Sequence, residues 1–252
     1  MRRVLRLLLT MAALARRALG EFLGTALLLV AVVGSGIMAS RLTPDVGLRL
    51  LINAAATAGA LAAIILAFSP VSGAHLNPLV SVADRRFGGI TTPELGVAVS
   101  AQVAGACAGV VVANLMFGLA AVNLSTRVRT GGGIWLGEVV ATFGLLVVIF
   151  ALARSGRSSA TPWAVAAYIG GAYFFTSSTG FANPAVTVAR TLSNSFAGIA
   201  PRSTPAFVVM EVVGLGLALA ALAVLFPAAT PSEAPDPAQA PAATAPTGEV
   251  SR

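Results

Sequence analysis

Ser72-Gly73-Ala74-His75-Leu76-Asn77-Pro78-Leu79-Val80 and Thr179-Gly180-Phe181-Ala182-Asn183-Pro184-Ala185-Val186 are two polar, proline-bearing boxes set in a chain that is otherwise strongly apolar. Each joins an Asn to a Pro. Asn is a favoured helix N-cap and Pro suits the first helical position, so each pair predicts a helix starting inside an apolar region. After the first box come Val80, Val82 and Ala83 and then Asp84, Arg85 and Arg86; after the second come Val186, Val188, Ala189 and Arg190. Each apolar stretch lasts about ten residues, or ~15 Å of helix, which is half the thickness of a hydrocarbon core.

Composition identifies the solvent. Hydrophobic residues make up 57% of the 252, charged residues only 10%, and the mean hydropathy is +0.89. A bilayer is the expected environment. The formal charge of +7 comes from 16 basic residues, all Arg, against nine acids. Most of these Arg flank apolar runs, where they mark the cytoplasmic side of a membrane rather than a nucleic-acid surface. One cysteine, Cys107, lies within an apolar run and allows no internal disulfide. There is no metal-ligand cluster, no nucleophile with a base and no phosphate loop, so neither an enzyme nor a cofactor or metal is expected.

Six apolar segments approach or exceed the ~20 residues a membrane span requires: about 17–40, 48–68, 93–117, 135–153, 162–177 and 205–226. The first box falls between the second and third, the second between the fifth and sixth. With the N-terminus inside, Arg2, Arg3, Arg6, Arg16, Arg17, Arg85, Arg86, Arg154, Arg157 and Arg252 are cytoplasmic, against Arg41, Arg49, Arg127, Arg129, Arg190 and Arg202 outside. Ten against six favours that orientation, and an even number of spans returns the C-terminus to the same side. The opening Met1–Arg17 resembles a signal peptide, but Arg6 breaks its apolar run and Met11 offers a second start. Residues 1–16 are therefore expected to be a basic cytoplasmic segment, 17–226 the membrane domain and 227–252 a disordered Pro/Ala-rich tail.

The chain repeats itself. Leu19-Gly20-Glu21 opens the first span and Leu136-Gly137-Glu138 the fourth; Thr25, Leu28, Leu29 and Val30 recur as Thr142, Leu145, Leu146 and Val147. Asn77, Pro78, Val80, Val82 and Ala83 recur as Asn183, Pro184, Val186, Val188 and Ala189, with Ser81 matched by Thr187. The repeats cover about 17–117 and 134–226. Three spans per half force the halves into opposite orientations, which puts the paired boxes at the midplane. The expected fold is an all-α membrane protein with six transmembrane helices, two re-entrant half-helices and an inverted 3+3 repeat. Backbone at that depth is tolerated where it lines a wet path.

The Ser-Gly-Ala-His-Leu-Asn-Pro and Asn-Pro-Ala boxes, the six spans and the duplicated Glu resemble the major intrinsic protein family, the aquaporins and aquaglyceroporins, over about 17–226. The resemblance implies a passive channel for water and small neutral solutes, assembled as a homotetramer in the plasma membrane. The pore boxes would be Asn77, Pro78, Leu79, Asn183, Pro184 and Ala185, with opposed half-helix N-termini repelling cations and protons while the Asn amides pass neutral oxygenated solutes. His75, Glu21 and Glu138 would brace the re-entrant loops, and Gln102 and Glu211 occupy similar places in spans three and six.

One position departs from the family. Most members carry an Arg after the second Asn-Pro-Ala; here it is Val186. The remaining filter positions, counted from the boxes, are Thr57, Gly171 and Gly180 or Phe181, and Arg190, one turn beyond Val186, is expected not to reach the ring. Losing an Arg removes five donors and a charge and widens the filter. The resemblance to bacterial branches with altered filters then implies glycerol-like polyols, urea or arsenous acid as solutes. The alternatives are a strict water channel and a coupled transporter, although the boxes hold no titratable group of the kind coupling uses. Gly20, Gly24, Gly105, Gly109, Gly214 and Gly216 are candidate sites of close helix approach.

Overall fold

The computed structural model describes residues 2–227, the first seven of them by backbone alone. The tail expected from residue 227 onward thus lies, beyond Pro227, outside the described residues. Eight α-helices follow one another: α1 (Arg2–Leu42), α2 (Val46–Ser72), α3 (Pro78–Phe87), α4 (Thr92–Met116), α5 (Gly132–Arg154), α6 (Thr161–Phe175), α7 (Pro184–Ala189) and α8 (Thr204–Leu225). α1 runs unbroken across residues 16 and 17.

Local chemistry sets the helix ends. Asp45 caps α2 by accepting from the Leu48 N–H, and Thr91 and Glu94 form a reciprocal capping box at the start of α4. Asn77 and Asn183 cap α3 and α7, with Pro78 and Pro184 at the first helical positions, as the boxes predict. Five helices, α1, α2, α4, α5 and α8, are long and apolar enough to cross a membrane. The fifth of the six expected spans is α6, which has only 15 residues. At 1.5 Å per residue it rises ~22 Å and reaches a span's length only with the 3₁₀ turn Ser158–Ala160 that leads into it. The second half-helix is also shorter than expected, because α7 ends after six residues and continues as the 3₁₀ turn Arg190–Leu192.

The two repeats pack alike. α1 lies against α2 and α4, α5 lies against α6 and α8, and α2 meets α6 between the halves. Bare backbone makes the tightest crossings. A Cβ on Gly105 would stand 2.2 Å from the Phe22 carbonyl oxygen, and one on Gly109 2.2 Å from that of Ala26. At the matched crossing of α5 and α8, a Cβ on Gly214 would stand 2.7 Å from the Val139 carbonyl oxygen. Gly216 has open space around it, so of the span-six pair only Gly214 makes a close approach.

Because the obstructing atoms are backbone, they cannot swing aside. Gly105→Ala and Gly214→Ala are each expected to cost about 1–3 kcal/mol. Thermal unfolding of the detergent-solubilised protein checks this, with Gly216→Ala as the neutral control.

Candidate functional site: the paired boxes and the cavity they line

The boxes are built around two buried carboxylates. Glu21 accepts from the backbone N–H groups of His75 (3.0 Å) and Leu76 (2.7 Å), and Glu138 from those of Phe181 (2.9 Å) and Ala182 (2.8 Å). Each acid holds two consecutive N–H groups, one per oxygen, at matched places in the two repeats. The backbone conformation there is unusual. Gly73, Ala74 and Leu76 have positive φ, and so do their counterparts Thr179, Gly180 and Ala182. Left-handed non-glycine residues cost energy and persist where the surroundings impose them. The N–H groups are turned toward the acids, and Ala74, His75, Gly180 and Phe181 form part of the cavity wall.

Other groups complete each brace. The Gln102 amide donates to Glu21 (2.7 Å) and to the Ser81 hydroxyl (3.0 Å), and the Ser72 hydroxyl donates to Glu21. In the second repeat Glu211 stands where Gln102 stands in the first, and one of its oxygens accepts from the Asn183 N–H (3.2 Å) and the Thr187 hydroxyl (2.6 Å). His75 has its Nδ1 3.0 Å from the Ser81 hydroxyl and its Nε2 3.6 Å from an Asp84 oxygen. The lone histidine is thus tied to the first half-helix.

The two asparagines bind across the midplane. The side-chain oxygen of Asn77 accepts from the Leu79 N–H, while its amide donates to the Ala182 carbonyl at 2.7 Å. Asn183 accepts from Ala185 and Val186 and donates to the Leu76 carbonyl at 2.8 Å. Each amide therefore donates to the residue that precedes the other Asn. One N–H of each amide is used in this crossing, and the second is left to the cavity, which both residues line.

A cavity of about 540 Å³ runs past both boxes, from Asp84 and His75 on one side to Arg190 on the other. Opposite the boxes its wall is apolar. Leu28 and Val32 of α1, Leu61 and Ile65 of α2, Leu145 and Ile149 of α5, and Val165 and Ile169 of α6 form it at helical spacing. Of the expected filter residues, Thr57, Gly180, Phe181 and Val186 line the cavity, as do the box asparagines, whereas Pro78, Leu79, Pro184 and Ala185 start the half-helices behind them. Gly171 does not line it. Cavity-facing positions on α6 fall at Val165, Ile169 and Tyr173, and two residues from either Ile169 or Tyr173 is a turn of ~200°, toward the opposite face. Tyr173 lines the cavity instead, its hydroxyl 3.1 Å from that of Thr57.

The far end of the cavity also departs from expectation. Arg190, expected to stay clear of this region, is on the cavity wall with its guanidinium carbon 3.4 Å from the centre of the Phe181 ring. Arg129, from the segment joining α4 to α5, stands 5.0 Å from the same ring and donates to the carbonyls of Gly198, Ser178 and Phe196. Burial, with Arg190 beside it, pushes the Arg129 guanidinium down to about 9, so it remains cationic at neutral pH. That segment is stitched to the end of the second half-helix by Asn123 and Ser125, whose N–H groups donate to Leu192 and Thr191. Nothing in the sequence repeat signalled it, because the connector has no counterpart in the other half.

Glu138→Ala would strand the buried N–H groups of Phe181 and Ala182, each unsatisfied donor costing about 1–3 kcal/mol. The expected result is a lower unfolding temperature in detergent and loss of solute flux in vesicles. Glu138→Gln, which keeps one acceptor oxygen, is expected to fall between Glu138→Ala and the unaltered protein.

Comparison with known proteins agrees with this geometry. The profile described as Major intrinsic protein matches residues 8–176. The chain is 48% identical over 218 residues to the aquaglyceroporin AqpS of Rhizobium meliloti (strain 1021), covering 86% of this chain and 93% of that one. Among solved structures, the aquaglyceroporin from Plasmodium falciparum superposes with a TM-score of 0.64 at 21% identity, over 83% of this chain and 95% of that one, which extends the likeness of fold. A membrane-embedded cavity flanked by mirrored Asn-Pro boxes, on this fold and with this profile, places the chain in the major intrinsic protein family, as a channel and not an enzyme.

Proposed function

We propose that this chain is a passive channel for small uncharged solutes that carry several hydroxyl or amide groups, with glycerol-sized polyols as its principal cargo and water passing with them. The observation that carries the reading is the two-sidedness of the cavity. One side is a strip of Leu, Ile and Val; the other presents box carbonyls and the free N–H of Asn77 and Asn183. A polyol has the same division, carbon on one side and hydroxyl oxygens on the other, so it can exchange hydration for these acceptors and donors without stranding either wall. A similar relative is named an aquaglyceroporin, which supports the same solute class.

Val186 favours cargo larger than water. It lines the cavity directly after the second box, where an Arg would fill more space and present five donors. Urea and arsenous acid, both uncharged and rich in hydrogen-bonding groups, fit the same description. Further parts of the proposal are a homotetramer in the plasma membrane with both termini cytoplasmic, and loops braced by Glu21, His75 and Glu138, with His75 serving as a support rather than a gate.

Stopped-flow swelling of proteoliposomes in glycerol, urea, arsenous acid and sucrose gradients tests the solute class. Fast glycerol entry with sucrose excluded is expected, and water movement without glycerol entry would refute it. Val186→Arg is expected to cut glycerol flux by about tenfold or more, equivalent to ~1.4 kcal/mol of added barrier, with water flux retained. Unchanged glycerol flux in that variant would remove Val186 from the filter.

A further inference from the structure

We infer that Arg190 is the pore's fixed positive charge on the side away from His75, and that it excludes small cations there in spite of Val186. The inference rests on the channel reading above and assigns to a particular side chain a barrier that the half-helix ends alone would otherwise supply.

Position explains how Arg190 reaches the pore. It follows Val186 by four residues, so both lie on the same face of the second half-helix as it passes from α into 3₁₀ form. Helical side chains lean toward the N-terminus, which carries the Arg190 guanidinium back over the turn that holds Val186 and onto the Phe181 ring. Its Nε donates to the Ala197 carbonyl, which fixes the direction of the fork. The residue is 2% exposed, yet it forms part of the cavity wall.

The fork's outer end is open. Among the described residues nothing accepts from its two terminal nitrogens, and neither is among the enclosed polar atoms that lack a partner. Among the same residues no carboxylate lies within ion-pair distance of Arg190 or Arg129. Arg129 differs in having each of its three nitrogens bonded to a carbonyl, which takes three of its five N–H groups, and it is not part of the cavity wall, so it adds charge without facing the solute. Arg190 combines a charge that no carboxylate pairs directly with terminal nitrogens left open on the cavity wall. A neutral solute can offer its oxygens to those groups, whereas a cation meets two guanidiniums that no carboxylate pairs directly.

Vesicles holding Arg190→Met decide the matter, read in parallel for glycerol swelling and for sodium conductance under a set potential. Methionine keeps most of the length and the contact with Phe181. Sodium conductance at least about tenfold above the unaltered channel, in vesicles that still swell in glycerol, is the expected result. Glycerol swelling with no sodium conductance would leave cation exclusion to Arg129 or the boxes and overturn the inference. Should Arg190→Met not assemble, Arg190→Gln decides by the same two readouts: a sodium leak in vesicles that swell in glycerol is expected, and swelling without a leak would overturn the inference. Glycerol flux through the unaltered protein stands apart from these outcomes, so failure of the channel reading is told from failure of the charge assignment.

Discussion

Two carboxylates, each holding a pair of consecutive backbone N–H groups, are the constraint on which the rest depends. Peptide units at membrane depth must be satisfied, and here the boxes satisfy only one side of theirs. Glu21 and Glu138 take the N–H groups, and His75, Leu76 and Phe181, which carry three of them, line the cavity. Without that division the positive-φ residues at Ala74, Leu76, Thr179 and Ala182 would have little reason to stay there. The cross-bonds from Asn77 to Ala182 and from Asn183 to Leu76 then lock one box to the other. The half-helices are held by their caps, and the caps by the opposite repeat.

How much of this could be read in the sequence depends on whether a feature is repeated. The Gly-Glu pairs, the Asn-Pro boxes and the close approach at Gly105 were legible because the chain states each of them twice or in a recognised pattern of small residues. The crossing of Phe22 with Gly105 reappears as that of Val139 with Gly214, and Gln102 reappears as Glu211. Helical phase was harder. Counting from the boxes put a filter position at Gly171, but α6 begins at Thr161 and its phase turns Tyr173 inward, which no motif announces. The approach of Arg190 to the cavity was missed for a related reason. Residue type and spacing do not reveal that its Nε is drawn toward Ala197 in a later loop.

The repeats diverge where the constraint relaxes. Near the braces, side chains serve the backbone and the repeats keep polar partners at matched places, with the direction reversed: Gln102 donates to the Ser81 hydroxyl where Glu211 accepts from that of Thr187. Along α1, α2, α5 and α6 the cavity wall needs only apolar bulk, so Leu, Ile and Val interchange freely. The connector between the repeats is under neither constraint. It brings Arg129 over Phe181 from outside the symmetry, so one end of the cavity has a cationic rim and the other does not.

That asymmetry separates two properties which a single filter arginine would combine. In the proposed channel, steric width is set by what stands next to the second box, where Val186, small and apolar, lines the cavity. Charge depends on what is desolvated near the path, and Arg190 and Arg129 both gather on the Phe181 ring. A guanidinium beside the box would narrow the path and charge it together. With the arginine one turn along the half-helix and its fork held on the Phe181 ring, the residue directly after the box stays small, while the field of the charge still reaches the same stretch of cavity. Width and charge can therefore be set by different residues on one helical face, because van der Waals contact ends within an ångström or so and an unscreened charge does not.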